Sequence, residues 1–167
     1  IRTYLPPLNR SITTISFIWI AWMWIFPKKN KGIDIIVTLL SLAVVSLFIF
    51  SFTAWETQQA TSAFNTTLLD WSWSVFYTLV IVSSILLALV QKPDGWGLAL
   101  VFFNINLLGS LTHMLLFSPN SDFSGFLRLA QLCSFPLLPG LLYHHAVKEN
   151  TETLPAPNSA HIENITL

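Results

Sequence analysis

From Ile33 to Thr53 the chain reads IDIIVTLLSLAVVSLFIFSFT, with Asp34 at its mouth and nothing charged deeper. A helix at a protein surface keeps one polar face, and a run this uniform has no face to give to water. It has the length that a hydrocarbon core about 30 Å thick demands, roughly 20 apolar residues. Within such a core every backbone N–H and C=O must be satisfied inside the segment, which restricts the run to a helix.

Four further runs repeat the pattern, at 8–26, 71–90, 96–117 and 126–146. The expected fold is therefore all-α: a polytopic membrane bundle of about five transmembrane helices, followed by a polar stretch at 148–167. Of the 167 residues, 53% are hydrophobic and 10% charged, against roughly 25% charged in soluble domains. The formal net charge is zero, so no basic field points to nucleic acid. The single cysteine, Cys133, excludes an internal disulfide and a multi-cysteine metal site.

The first run is the weakest. Pro6-Pro7 suit a helix start, but the mainly apolar part begins only at Ile12. Asn9, Arg10 and Ser11 are thus expected at headgroup depth. Trp19, Trp22 and Trp24 crowd the other end, as in an interfacial aromatic belt. In the second run Thr38, Ser41 and Ser46 are small polar residues of the kind used in helix packing. The connection 54–70 carries Glu56, Gln58, Gln59, Asn65 and Asp70 but no Lys or Arg. Its Asn65-Thr66-Thr67 sequon is read as chance.

Lys28, Lys29, Lys31, Lys92 and Lys148 fall on one side of such a bundle, with Arg2, Arg10 and Arg128 on the other. Cationic loops stay cytoplasmic. The N-terminus is then expected outside and the C-terminus inside, in a multi-pass protein of the bacterial inner membrane. The start at Ile-Arg-Thr and the proline-containing tail 148–167 read as the edges of a segment from a longer chain, the tail serving as linker to a cytoplasmic domain.

Candidate chemistry concentrates in the fourth and fifth runs. Asn106, Gly109, Ser110, His113 and Phe117 recur at three- and four-residue steps and share one helix face. A polar stripe on a membrane helix turns toward other helices rather than lipid. His113 suits an interhelical hydrogen bond, a titrating sensor or a ligand contact; a metal site would need convergent ligands, for which only Asn, Gln and Glu56 are at hand. Arg128 and Gln131 stand three apart at the start of the fifth run. Arg128 is expected either to snorkel outward or to pair with Asp122, Asp70 or Glu56. Pro136 and Pro139 interrupt the same helix and should kink it. Trp71 and Trp73 are expected to shape the outer mouth. No catalytic constellation, cofactor motif or metal-ligand spacing is visible, and His144-His145 reads as an interfacial pair.

The run Gly95-Trp96-Gly97-Leu98-Ala99-Leu100, the turn Ser118 to Gly125, and Phe126-Leu127-Arg128-Leu129-Ala130-Gln131-Leu132 with Pro136-Leu137-Leu138 resemble a known arrangement. Over about residues 91 to 147 the chain is similar to the membrane-embedded N-terminal region of bacterial multidomain signalling proteins. These are chiefly sensor histidine kinases with downstream GAF, PAS and kinase domains. The resemblance implies a sensing or anchoring role in the bilayer, output domains elsewhere in the parent chain, and a homodimer. It names no ligand. The other reading that the runs allow is a small subunit of a membrane complex or transporter, with the polar helix face lining a pathway.

Overall fold

The computed structural model describes residues 3–26, 30–116, 122–140 and 143. Among these the chain is all-helical, with five α-helices and no strand: α1 (Leu5–Ile25), α2 (Lys31–Gln58), α3 (Leu68–Gln91), α4 (Trp96–Leu115) and α5 (Gly125–Ser134). One 3₁₀ turn, Phe64–Thr66, precedes α3. α1 lies against α2 on one side and α3 on the other, α3 packs along α4, and α4 packs along α5.

Three helices, α2, α3 and α4, are long and apolar enough to cross a membrane. Their burial explains why. In α2 only Val37, Val44, Ser51 and Trp55 are buried, a narrow seam at near seven-residue spacing. The rest of α2 presents Ile35, Ile36, Leu39, Leu42, Ile49 and Phe50 outward. So wide an apolar exterior suits lipid and not water. In α3 the buried set, Asp70, Trp73, Ser74, Tyr77, Ile81, Ser84 and Ala88, marks a single stripe at three- and four-residue steps.

α1 is the opposite case. Ten of its 21 residues are buried, among them Arg10, Ser11 and Thr14. Phe17, Ala21 and Trp24 join a core with Tyr77 and Ile81 of α3 and Phe102 and Phe103 of α4. Ile18, on another face, joins Val37, Val44 and Trp55 of α2. Enclosed by its neighbours, α1 needs little apolar surface for lipid. Arg10 and Ser11 are accordingly inside the protein, and not turned out toward headgroups as their polarity suggests.

Several boundaries depart from the sequence reading. α2 runs on to Gln58, because Trp55 is fully buried and stacks edge-on with Phe64, 5.2 Å between ring centroids. The loop after Thr53 is therefore shorter than its polarity suggests. Thr38, Ser41 and Ser46 bond the carbonyls of Asp34, Val37 and Leu42 in their own helix. They do not bridge helices. α4 ends at Leu115, and Phe117 lies outside the described residues. α5 stops after ten residues. Pro136 has no N–H to offer to Leu132 and its ring crowds that carbonyl, so the chain turns at Phe135–Pro136. Leu138 N–H bonds Phe135 O instead, at 3.0 Å, and residues 137–140, with Pro139 among them, are again helical. The linker 148–167 and His144-His145 lie outside the described residues.

Three caps fix the helix starts that matter for the site. Asn30, Thr67 and Ser124 each accept a backbone N–H of the following helix, from Gly32, Asp70 and Leu127. The Thr67 cap sets Asp70 in the first turn of α3, where the helix dipole favours negative charge. His113 occupies the last turn of α4.

Candidate functional site

The start of α1, the start of α3 and the end of α4 meet at one pole of the bundle, and each brings one polar side chain inward. Arg10 donates from Nε to Asp70 Oδ1 at 2.8 Å, and its Nη2 bonds the same oxygen. Asp70 Oδ2 lies 2.8 Å from His113 Nε2. That nitrogen is also 2.9 Å from Arg10 Nη2. The side chains of Asp70 and His113 are each 3% exposed and that of Arg10 7%.

The guanidinium and the carboxylate of this cluster are opposite in charge and in direct contact. Burying such a pair is tolerable only when its polar atoms find partners, and here Nε and Nη2 of Arg10 and both oxygens of Asp70 are bonded within the cluster. His113 Nε2 has a particular position. It stands between a group that can only donate and one that can only accept. In a neutral ring Nε2 either donates to Asp70 or accepts from Arg10, never both.

A polar seam continues from the cluster along α4 and α5. Thr78 and Ser110 hydroxyls bond at 2.7 Å. Asn106 Nδ2 donates to Phe102 O at 2.9 Å and to Ser134 Oγ at 2.7 Å. Gln131 Nε2 reaches Thr13 Oγ1 of α1 at 3.4 Å. The buried oxygens Ser74 Oγ and Asn106 Oδ1 have no hydrogen-bond partner among the described residues. α4 and α5 touch most closely at Gly109, where a Cβ would stand 2.3 Å from Ala130 Cβ and 3.1 Å from Phe126 O.

The connection from α2 to α3 closes the pole. Phe64 N–H donates to Asp122 Oδ1 at 2.9 Å, and Asn65 Nδ2 to Phe123 O at 3.0 Å. The sequon residue Asn65 is thus buried, with the nitrogen that a glycan would occupy already bonded inward. Next to this clamp a cavity of about 490 Å³ opens against His113, bordered by Asn65, Ser124, Gly125, Phe126 and Arg128. A second cavity, about 390 Å³, lies among Ile18, Trp22, Ile33, Val37, Phe76 and Val80 and is apolar almost throughout.

The residues singled out from sequence are thus distributed unevenly. Asn106, Gly109, Ser110 and His113 all face inward and are buried. His113 meets Arg10 and Asp70, while Glu56, considered beside it only as a metal ligand, is exposed. Arg128 is exposed, with its guanidinium carbon 4.3 Å from the Phe123 ring centroid. It does not take Asp70, whose two oxygens serve Arg10 and His113. Gln131 is half-buried beside α1, and Asn104 is exposed and bonds its own helix. Trp71 is exposed, whereas Trp73 is buried and donates to Ser51 Oγ of α2 at 2.9 Å.

Arg10 and Asp70 are the two members that residue types alone did not bring together. The signal existed in spacing. Arg10, Thr14, Phe17, Ala21 and Trp24 alternate four- and three-residue steps, which puts Arg10 on the helix face that turns inward. Among the described residues no three His, Cys, Asp or Glu side chains converge on a point where a metal ion would sit. Set against protein-family models, curated proteins and solved structures, the chain matches none of them.

Proposed function

We propose that the chain is the membrane-embedded sensing or anchoring module of a bacterial signal-transduction protein of the sensor histidine kinase type. In this reading five helices cross the inner membrane. The Arg10–Asp70–His113 pole and the N-terminus face outward and the C-terminus faces the cytoplasm. α1 crosses shielded by its neighbours, and α5 with the helical residues after Pro136 makes the fifth crossing. Turnover belongs to output domains beyond the linker 148–167, which act as a homodimer.

The observation that carries the reading is the linkage of the charged cluster to α5. His113 lies on the α4 face whose Asn106 and Gly109 hold Ser134 and Ala130 of α5, and α5 leads toward the linker. A change at the outer pole has a packed, hydrogen-bonded neighbour to displace in the direction of the C-terminus. A cluster that only fastened helices would need no cavity beside it.

Reporter fusions and a kinase assay test the two halves of the proposal. Alkaline phosphatase fused after Ala60 is expected to be active and fused after Lys148 inactive; the reverse pattern contradicts the orientation. In the full-length parent protein Asp70→Asn is expected to change autophosphorylation several-fold at equal membrane abundance. An unchanged rate at equal abundance contradicts a sensing role.

A further inference from the structure

The cavity beside His113 has the makings of an anion site. Its volume, about 490 Å³, falls in the range of small-molecule pockets. One wall is the first turn of α5, Gly125 and Phe126, the end of a helix at which N–H groups and the dipole favour negative charge. Arg128 adds a full positive charge at the rim, and among the described residues that border the space none is acidic. Phe123, Phe126 and Leu129 supply apolar surface. A Cβ on Gly125 would meet nothing within 4 Å, so the space reaches the backbone there.

His113 is buried and borders the same cavity. Its contacts with Arg10 and Asp70 both use Nε2, which leaves the Nδ1 edge of the ring for an occupant. We propose that this cavity binds an oxyanion carried on a small apolar body, and that binding selects which partner His113 Nε2 bonds. An oxyanion only accepts, so it requires a proton on Nδ1. A neutral ring then releases its Nε2 proton to water and takes one from water at Nδ1, without change of net charge. Empty, the site keeps Nε2–H donating to Asp70. Occupied, bare Nε2 accepts from Arg10. Both partners already lie within 3 Å of Nε2, so the exchange asks only that the one left without a matching hydrogen turn away from the ring. This deepens the sensing reading and rests on it for the downstream consequence, while binding itself is read out independently of any signal.

The test uses the full chain labelled with ¹⁵N-histidine in phosphatidylcholine nanodiscs, the His113 resonances being those lost in His113→Gln. Benzoate is the water-borne probe and benzyl alcohol its neutral counterpart. Benzoate is expected to move the His113 proton from Nε2 to Nδ1, and benzyl alcohol to leave it in place. Arg128→Gln, at an exposed position, should raise the benzoate concentration required by about tenfold, the size of one charge-assisted contact. Gly125→Leu should abolish the response by filling the space, with unchanged helix content as evidence of folding. If nanodiscs containing phosphatidylglycerol produce the shift without benzoate, the oxyanion is a lipid headgroup and the site stands. If Nε2 stays protonated throughout, or if benzyl alcohol acts equally, the proposal is overturned. Failure here leaves the fusion and kinase results untouched, so the two proposals fail separately.

Discussion

Asp70 Oδ2 and His113 Nε2 lie 2.8 Å apart, joining the first turn of α3 to the last turn of α4 inside the bundle. The carboxylate has two partners, His113 at Oδ2 and Arg10 at Oδ1. Removing the ring therefore deprives the carboxylate of one partner without removing the other. His113→Leu is expected to destabilise the protein by ~1–3 kcal/mol, the cost of an unsatisfied buried acceptor. His113→Gln, whose amide can donate to Asp70, should recover part of that loss. Thermal unfolding in detergent checks the order of the three proteins.

Gly109 sets the distance between α4 and α5. Its missing Cβ would fall 2.3 Å from Ala130 Cβ, and neither group is the end of a flexible chain. Gly109→Ala should cost about 1–3 kcal/mol through forced separation of the helices. Ala130→Gly in the same chain is expected to restore most of the stability. An additive second loss would show that the contact is not the cause.

How far the sequence foretold this arrangement depends on what kind of signal each part leaves. The apolar runs that became α2, α3 and α4 were legible, because lipid-facing helices must be apolar on nearly every side. So was the inward turn of Asn106, Ser110 and His113, since a polar stripe at helical spacing has few places to go. α1 was legible as a helix but not as the central one. Centrality depends on which neighbours enclose it, and that information is spread over three other helices. The cluster was half legible for the same reason: His113 stood out, while Arg10 and Asp70 lie 60 residues apart and each has a bland reading at a helix start. The break in the fifth run was legible too, because Pro136 lacks the N–H that the helix would need there, and the chain turns at Phe135–Pro136 before residues 137–140 resume as helix.

Trp73 and Ser51 carry the polar contact between α3 and α2. The indole N–H donates to the hydroxyl at 2.9 Å and both residues are 1% exposed. Ser51→Ala should cost ~1–2 kcal/mol by leaving the donor unpaired. Trp73→Phe combined with Ser51→Ala should cost less than the sum of the two single changes, read from unfolding midpoints of the four proteins.

Lys92 ends α3 with φ 43, ψ 55, in the left-handed region. A side chain with a Cβ pays for that conformation, and glycine does not. Lys92→Gly is expected to raise stability by up to about 1 kcal/mol, visible as a higher unfolding temperature at unchanged helix content. Lys92→Val, branched at Cβ, should lower it.

The most direct test of the account is a double-mutant cycle on Arg10 and Asp70, with unfolding free energies of the wild type, Arg10→Met, Asp70→Leu and the double variant. Either single change strands a buried charge and is expected to cost ~3–5 kcal/mol. The double variant leaves no stranded pair member, so it should be more stable than at least one of the singles. Losses that simply add, each within about 0.5 kcal/mol, would mean that the two residues act independently, and the buried cluster would not be what holds this pole together.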